Sequence, residues 1–144
     1  MCCGEGPAGQ LDAAAYDRGS DAWRPIDGGP LRDVTRASGV WTGDRWLVAG
    51  DGRLASYEPT SDQWQELLSA ATAWRGEAAV AWTGTQLAVW PPSPDGLLLY
   101  DPAIGAWSTP PEPDLPLPTA PSLIWSGEEL LVFGQSSEDE TATA

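Results

Sequence analysis

The chain has 144 residues, with seven Arg, no Lys, no His and 21 acidic residues, which give a net charge of −14. A surface this acidic repels nucleic-acid phosphates and anionic lipid, so the composition argues against nucleic-acid binding and against a membrane-surface role. The length allows one ordinary domain with a modest core, and no apolar run approaches the roughly 20 residues that span a membrane.

The first residues, 1–10, are predicted to be a flexible segment. They contain the only two cysteines, Cys2 and Cys3, which adjoin each other and therefore cannot cross-link the body of the fold. They are interpreted as incidental thiols or as the remnant of a leader. The segment lacks the basic and apolar regions of a secretory signal, so the localisation is left open: cytoplasmic for the chain as it stands, exported if it derives from a longer parent.

Short β-strands, separated by turn residues, are predicted throughout residues 11–135. In chain order they are 11–16, 23–26, 39–41, 46–49, 54–57, 64–68, 77–82, 86–90, 97–100, 107–109, 122–125 and 129–133. Pro and Asp-Gly indicate a loop at 91–96, and further Pro residues indicate a linker at 110–121. Residues 70–75 have some helical propensity, and the acidic end, 136–144, is predicted to be a disordered tail.

Three series of aromatic residues recur in phase along the chain. They are Trp41, Trp82 and Trp125; Tyr16, Tyr57 and Tyr100; and Trp23, Trp64 and Trp107, with spacings of 41 and 43 residues in each series. Independent landmarks with a shared period indicate one structural unit copied in tandem, and a four-stranded antiparallel unit of this length is typical of a β-propeller blade. The predicted fold is therefore all-β, a partial propeller of two full blades plus two half blades, in which these nine aromatic residues are structural.

Two segments carry a resemblance to a known family. Tyr57–Pro59 and Tyr100–Pro102 are each followed by a Trp seven residues after the Tyr, at Trp64 and Trp107. This pattern resembles the kelch repeat and the galactose-oxidase-like propellers that are built from similar blades. The resemblance covers roughly residues 11–135, and it implies a β-propeller with a binding or scaffold role, most directly in protein–protein interaction.

The chemistry that the sequence offers is mainly an exclusion. Without His, the chain has neither Ser-His-Asp nor Cys-His catalysis, and it lacks the imidazole ligands of the galactose-oxidase copper site. No cofactor and no metal site are predicted, because calcium ligation by Asp44, Asp51 or Asp95 would match no known loop spacing. A non-catalytic binding module is favoured over an enzyme. The alternatives are a fragment of a larger propeller hydrolase or oxidase, and a carbohydrate-binding propeller.

Three residues are candidates for ligand binding. Arg36 and Arg75 each precede the first strand of a copy, and similar Arg in kelch propellers can face the ring mouth and bind acidic peptide segments. Ion pairing with the chain's own carboxylates is the alternative that the composition favours. Trp74 lies in a connection between copies and, like Trp46 and Trp90, is out of phase with the repeat, so it is predicted to be freer for contact with a ligand. The expected partner is a protein or peptide, with carbohydrate as the second choice.

The number of copies raises a question of closure. A closed propeller needs about four to eight blades, and this chain holds three blades' worth. Two hypotheses account for the open faces: the chain is part of a longer protein, or two chains form a homodimer that completes a six-blade ring.

Overall fold

The computed structural model describes residues 12–92 and 96–135, and this part of the chain is all-β. Its regular structure consists of β-strands and one turn of 3-10 helix at Gly29–Leu31. Within the described residues, no helix is long and apolar enough to cross a membrane. The predicted flexible segment at 1–10 and the predicted disordered tail at 136–144 lie outside the described residues.

The strands are short and follow one another closely. In chain order they are β1 Ala13–Asp17, β2 Ala22–Ile26, β3 Ser38–Trp41, β4 Trp46–Gly50, β5 Arg53–Glu58, β6 Gln63–Leu67, β7 Ala79–Trp82, β8 Leu87–Trp90, β9 Leu98–Asp101, β10 Ala106–Ser108, β11 Thr119–Trp125 and β12 Leu130–Gln135. Every predicted strand is present, although β11 begins inside the segment that was predicted to be a linker. No helix forms at 70–75, where the Ala70 N–H donates to the Gly52 carbonyl at 3.0 Å instead.

The strands form four antiparallel sheets, which we number along the chain. Sheet 1 is β1–β2, sheet 2 is β3–β4–β5–β6, sheet 3 is β7–β8–β9–β10 and sheet 4 is β11–β12. Each strand of the two larger sheets pairs with the next strand in sequence, which confirms the predicted antiparallel meander. The all-β class is therefore confirmed, with two four-stranded and two two-stranded sheets in the described residues.

The hairpin between the first and second strand of each copy is built by the repeated pair of a hydroxyl residue and Gly. The side-chain oxygen of the hydroxyl residue accepts the backbone N–H three residues later, at 3.3, 3.0 and 3.0 Å for Thr42, Thr83 and Ser126. The Gly that follows has a φ of 111°, 97° or 106°, a conformation that residues with a Cβ rarely adopt. The repeated dipeptide is thus explained by the geometry of the turn.

The Tyr of the third strand and the Trp of the fourth are cross-strand partners in all three copies. The pairs are Tyr16 with Trp23, Tyr57 with Trp64 and Tyr100 with Trp107. Their ring centroids lie 5.2, 5.1 and 5.1 Å apart in tilted arrangements, the range in which aromatic pairs attract. The turn between each pair contains one left-handed residue, Asp21, Asp62 or Gly105.

The main core lies between sheets 2 and 3. Leu47 and Leu54 of sheet 2 pack with Leu87 and Val89 of sheet 3, and all four side chains are almost fully buried. β3 contacts β7, and β7 contacts β11, so the first strands of sheets 2, 3 and 4 are successive neighbours. The copies therefore meet along their first strands as well as through their faces.

The connection between β2 and β3, residues 27–37, covers the opposite face of sheet 2. Leu31 and Val34 of this connection form a second buried cluster with Val48 and Ala55 of the sheet. Burial of these side chains holds the connection against the sheet, because removing apolar surface from water is favourable.

Arg53 on β5 fixes the same connection by ion pairs and hydrogen bonds. Its guanidinium donates to the Asp33 carboxylate at 2.8 Å, to the Pro30 carbonyl at 2.7 Å and to the Glu66 carboxylate at 2.8 Å. The hydrogen bond from Arg53 holds the pKa of Asp33 below its ordinary value.

A repeated hydrogen bond links each full copy to the copy before it. The indole Nε1 of Trp64 donates to the Asp27 carbonyl at 2.8 Å, and that of Trp107 donates to the Leu68 carbonyl at 2.8 Å. Each acceptor lies four residues after the fourth-strand Trp of the preceding copy. The fourth-strand Trp therefore joins neighbouring copies, as well as pairing with Tyr in its own copy.

The expectation that the out-of-phase Trp residues are freer is wrong. Trp74 is 3% exposed and Trp90 is 8% exposed, while Trp46 is half-buried against Trp64. In contrast, Trp23 is 71% exposed, although its repeat position predicts packing. Phase does not determine exposure: Trp74, in the connection before β7, is part of the core between sheets 2 and 3, whereas the outer face of sheet 1 has no covering sheet among the described residues.

Candidate binding cavity

A cavity of about 650 Å³ lies where the first strands of sheets 2, 3 and 4 begin. Ser38 at the start of β3, residues 75–80 and residues 120–123 contribute most of its wall. Trp90 at the end of β8 and Pro92 just beyond it complete one side. Three consecutive copies of the repeat thus supply equivalent segments to one concave site.

Two of the three residues predicted to bind a ligand come together at this cavity. Arg36 and Arg75 both line it, and both are exposed to solvent. Each belongs to the connection that leads into a first strand, which explains why residues 39 positions apart in the sequence reach the same site. The sequence predicted these two residues but not that they share a cavity.

Among the described residues, these two guanidinium groups differ from most of the cations in having no carboxylate partner. Ion pairs within 4.0 Å link Arg24, Arg32, Arg45 and Arg53 to Asp or Glu side chains. Within the described residues, neither Arg36 nor Arg75 forms such a pair. The alternative prediction, in which both pair with the chain's own carboxylates, is therefore wrong for the described part of the chain.

Gly50 at the end of β4 allows the backbone that carries Arg36 to approach the sheet. A Cβ at this position would lie 2.8 Å from the Arg36 carbonyl oxygen, closer than real Cβ atoms come. A residue with a side chain here would therefore displace the connection and the guanidinium that it positions.

Asp51 joins the two segments that carry the cations. One of its carboxylate oxygens accepts the Thr35 N–H at 3.2 Å, and the other accepts the Gly76 N–H at 3.3 Å. Thr35 directly precedes Arg36, and Gly76 directly follows Arg75. Asp51 is therefore a positioning residue for the cavity, because its carboxylate accepts hydrogen bonds from the backbone N–H groups of both segments. The Asp-Gly pair predicts a tight turn there, but its two partners lie too far along the chain to be recognised from sequence.

The remaining wall combines apolar surface with small polar groups. Trp90 and Ala78 are buried, Leu123 is half-buried, and Ser38 and Ser122 add hydroxyl groups. Apolar side chains and two hydroxyls beside two cations can bind an anion that carries an apolar portion.

The charge of the cavity is not uniform around its rim. Glu77 also lines it and offsets part of its positive charge. In the repeat of sheet 2, Arg36 lies five residues before Trp41. The equivalent position in the repeat of sheet 4, five residues before Trp125, is occupied by Ala120. The cations therefore come only from the segments before sheets 2 and 3, which gives the site a charged side and an uncharged side.

Trp74, the third predicted ligand residue, lies apart from the cavity. It belongs to the core between sheets 2 and 3, and its buried Nε1 has no hydrogen-bond acceptor in the described residues. Contact between Trp74 and a ligand stays a prediction, and this position gives it no support.

A second cavity, of about 940 Å³, lies between the Pro-rich segment and sheet 4. Residues 109–113, 115–118 and 130–132 line much of it, and Glu112 is the only charged residue of its wall among the described residues. It contains none of the residues that the sequence singled out for binding.

A comparison of the chain with known protein families found no match, and a search among curated proteins found no significant relative.

Proposed function

We propose that the chain is a segment of a kelch-like β-propeller, and that it acts as a non-catalytic binding module for an acidic segment of a protein or peptide. The kelch-like assignment is supported by four antiparallel sheets with one repeated set of turns and cross-strand pairs. Successive contacts between β3, β7 and β11 are the contacts that neighbouring propeller blades would make.

The observation that carries the binding function is a pair of cations in one cavity that have no carboxylate partner among the described residues. The chain has 21 acidic residues against seven Arg, so a surface guanidinium without an ion pair is unexpected on composition alone. Two of them, Arg36 and Arg75, line the same concave site beside the apolar ring of Trp90. A carboxylate that enters this cavity can accept hydrogen bonds from both, while an adjoining apolar side chain of the ligand packs against the apolar part of the wall.

The rest of the surface sets the selectivity of such a site. A net charge of −14 repels an extended polyanion such as a nucleic acid, whereas one or two carboxylates on a short segment can reach the cavity. At physiological salt the Debye length is about 8 Å, so distant carboxylates are largely screened, while groups in direct contact are not. The expected ligand is therefore a short acidic and apolar sequence.

The test is a binding titration by fluorescence anisotropy with two labelled peptides. One peptide carries two adjacent Glu flanked by apolar residues, and the other carries Gln in their place. The acidic peptide is expected to bind the parent protein more tightly. Arg36→Gln and Arg75→Gln are each expected to weaken its binding about tenfold, which corresponds to about 1.4 kcal/mol and is typical of a lost charge-assisted hydrogen bond.

Arg18→Gln provides the matched control. Arg18 is also exposed and has no ion pair within the described residues, but it lies in the turn between β1 and β2 and not in the cavity. The three variants change the net charge equally. If Arg18→Gln weakens binding as much as the cavity variants do, or if both peptides bind alike, the proposed function is wrong.

A further inference from the structure

The two-stranded sheets at the ends of the described chain are complementary halves of the same unit. Sheet 4 contains a first and a second strand, as its Ser126-Gly127 hairpin shows, and sheet 1 contains a third and a fourth strand, as its Tyr16–Trp23 pair shows. Within the described residues, β12 pairs only with β11, and β1 pairs only with β2. In the described part of the chain, each end thus has two strands of the four-stranded unit, and the opposite end has the other two.

We propose that a second copy of this chain docks at these ends, with β12 of one copy pairing with β1 of the other to make a complete four-stranded sheet. Sheets 2 and 3 lie between the two ends in the sequence, and sheets 1 and 4 of one copy are not paired with each other. A second copy supplies the missing strands at both ends simultaneously, which no single added hairpin can do.

The internal repeat specifies the register of the new pairing. In sheet 2 the second and third strands pair Trp46 with Tyr57 and Val48 with Ala55, and sheet 3 keeps the same register. Transferred to the two ends, it places Leu130 opposite Tyr16 of the second copy and Val132 opposite Ala14 of the second copy. These pairs are apolar and uncharged, so they add no repulsion along the joined edges.

The exposed rings of sheet 1 fit this arrangement. Trp23 is 71% exposed and Tyr16 is 48% exposed, whereas their equivalents in sheets 2 and 3 are buried or half-buried. Trp64 and Trp107 each donate to a carbonyl four residues after the preceding fourth-strand Trp. In the first copy, the residue four positions after Trp107 is Pro111. By the same rule, Trp23 of the second copy donates to the carbonyl of Pro111 of the first copy.

The outer face of sheet 4 carries a second uncovered apolar surface. Ile124 is 64% exposed, Leu131 is 48% exposed and Phe133 is 82% exposed. Ile124 and Leu131 are cross-strand partners, as are their sheet 2 equivalents, Val40 and Leu47, which pack into the core between sheets 2 and 3. In the paired assembly this face packs against the second copy and is removed from water. The pairing therefore explains an apolar surface that would otherwise favour aggregation.

The first experiment is light scattering coupled to size-exclusion chromatography on the full 144-residue chain at about 20 µM. Two copies have a mass of about 30 kDa, twice the 15.2 kDa of one chain. Each copy carries a charge of −14, so added salt is expected to strengthen the association by screening the repulsion between copies. A monomer at all salt concentrations would overturn the proposal and would indicate that the ends are covered by other strands.

Variants locate the contact at the two strand edges. Val132→Lys places a charge in the middle of β12 and is expected to weaken association at least tenfold. Ile104→Lys is the control, since Ile104 is 75% exposed in the β9–β10 turn and lies outside the proposed contact. A mass that responds equally to the two variants would exclude pairing through β12.

A charge pair then tests the register without depending on a loss of folding. In the double variant Ala14→Lys/Val132→Glu, opposite charges face each other across the new pair, so association is expected to recover relative to Val132→Glu alone. Ala15→Lys/Val132→Glu puts the charges on opposite faces of the sheet and is expected not to recover. Recovery in the second double variant but not in the first would contradict the register. Association through the strand edges does not depend on the cavity lined by Arg36 and Arg75. The peptide titration tests that cavity independently, so either proposal can fail without the other.

Discussion

Three Trp residues of this chain differ in how their indole N–H groups are satisfied. Trp64 and Trp107 donate to backbone carbonyls at 2.8 Å, so their rings both pack and satisfy their polar atom. Trp74 is 3% exposed, yet its Nε1 has no acceptor among the described residues. An unsatisfied buried donor costs about 1–3 kcal/mol, which offsets part of what the burial of this ring contributes to stability.

Trp74→Phe is therefore expected to cost less stability than Trp107→Phe, although Trp74 is the more deeply buried of the two. The first change leaves a small cavity but removes the unsatisfied donor, and we expect the free energy of unfolding to fall by no more than about 1 kcal/mol. The second change loses a satisfied hydrogen bond as well as packing, and we expect a fall of about 1–2 kcal/mol. Urea denaturation followed by far-UV circular dichroism measures both.

The comparison of the two losses in unfolding free energy tests whether the Trp74 Nε1 is unsatisfied. If Trp74→Phe costs clearly more than Trp107→Phe, the Trp74 Nε1 is satisfied in solution, for example by an ordered water.

Among the elements, the connections that lead into first strands matter most for the cavity. The connection at 27–37 is held against sheet 2 by the burial of Leu31 and Val34 and by Arg53. Asp51 then ties this connection to the one before β7 through Thr35 and Gly76. The spacing of the two guanidinium groups is therefore set by hydrogen bonds between connections and not by the strands alone.

Asp51→Gly tests this positioning role. Asp51 has a φ of 49°, which Gly adopts without strain, so the turn is expected to persist while both carboxylate hydrogen bonds are lost. We expect the affinity for the acidic peptide to fall several-fold. Simple electrostatics predicts the opposite, because the change removes a negative charge near the site. The peptide titration described above measures the effect.

Asp44→Gly is the control for that prediction. Asp44 lies in the β3–β4 turn, where it accepts a hydrogen bond from Thr42 and pairs with Arg45. Its loss removes the same charge without touching either connection. If Asp51→Gly raises the affinity as Asp44→Gly does, Asp51 acts on the ligand only through its charge.

The strands were predictable from sequence, whereas the connections were not. Thr-Gly and Ser-Gly hairpins and the Tyr–Trp pairs are specified by residues close together in the chain, so their period reveals the strands and their order. The burial of Trp74 and the double role of Asp51 depend on contacts between distant segments. Thr35 and Gly76 lie 16 and 25 residues from Asp51, and no local pattern signals such partners. Consequently the sequence predicted both cations of the candidate site but not the residue that positions them.

For the molecule as a whole, acidification acts on stability in two opposite ways. Neutralising carboxylates reduces the self-repulsion of a chain with a net charge of −14. It also removes carboxylates that the fold stabilises in their charged form. In the described part of the chain, four carboxyl groups have a pKa below the ordinary value. The leading causes are hydrogen bonds from Ser20 to Asp17, from the Gly29 N–H to Asp27, from Arg53 to Asp33 and from Thr42 to Asp44.

The sign of the second effect follows from the direction of these shifts. A carboxyl whose pKa is lower in the folded state contributes stability above its unfolded pKa of about 4, and that contribution is lost as the pH falls through the folded-state pKa. Asp33→Asn is therefore expected to destabilise the protein at pH 6 and to destabilise it less at pH 2.5. Urea midpoints at the two pH values measure this, with Asp114→Asn in the exposed Pro-rich segment as the control. An unchanged penalty at pH 2.5 would mean that Asp33 contributes through packing rather than through charge.

The arrangement of the two unlike ends has a consequence for how copies add to one another. A contact between β12 and β1 of a second copy joins different surfaces, so it is a head-to-tail contact, and the proposed pair is finite because both ends of each copy are joined. Growth stops only if the rotation from one end of the chain to the other closes a ring, and any other rotation produces an open filament. The angle between successive sheets therefore decides between a finite particle and a fibre, and a substitution that alters this angle could change solubility without touching a single residue of the joined edges.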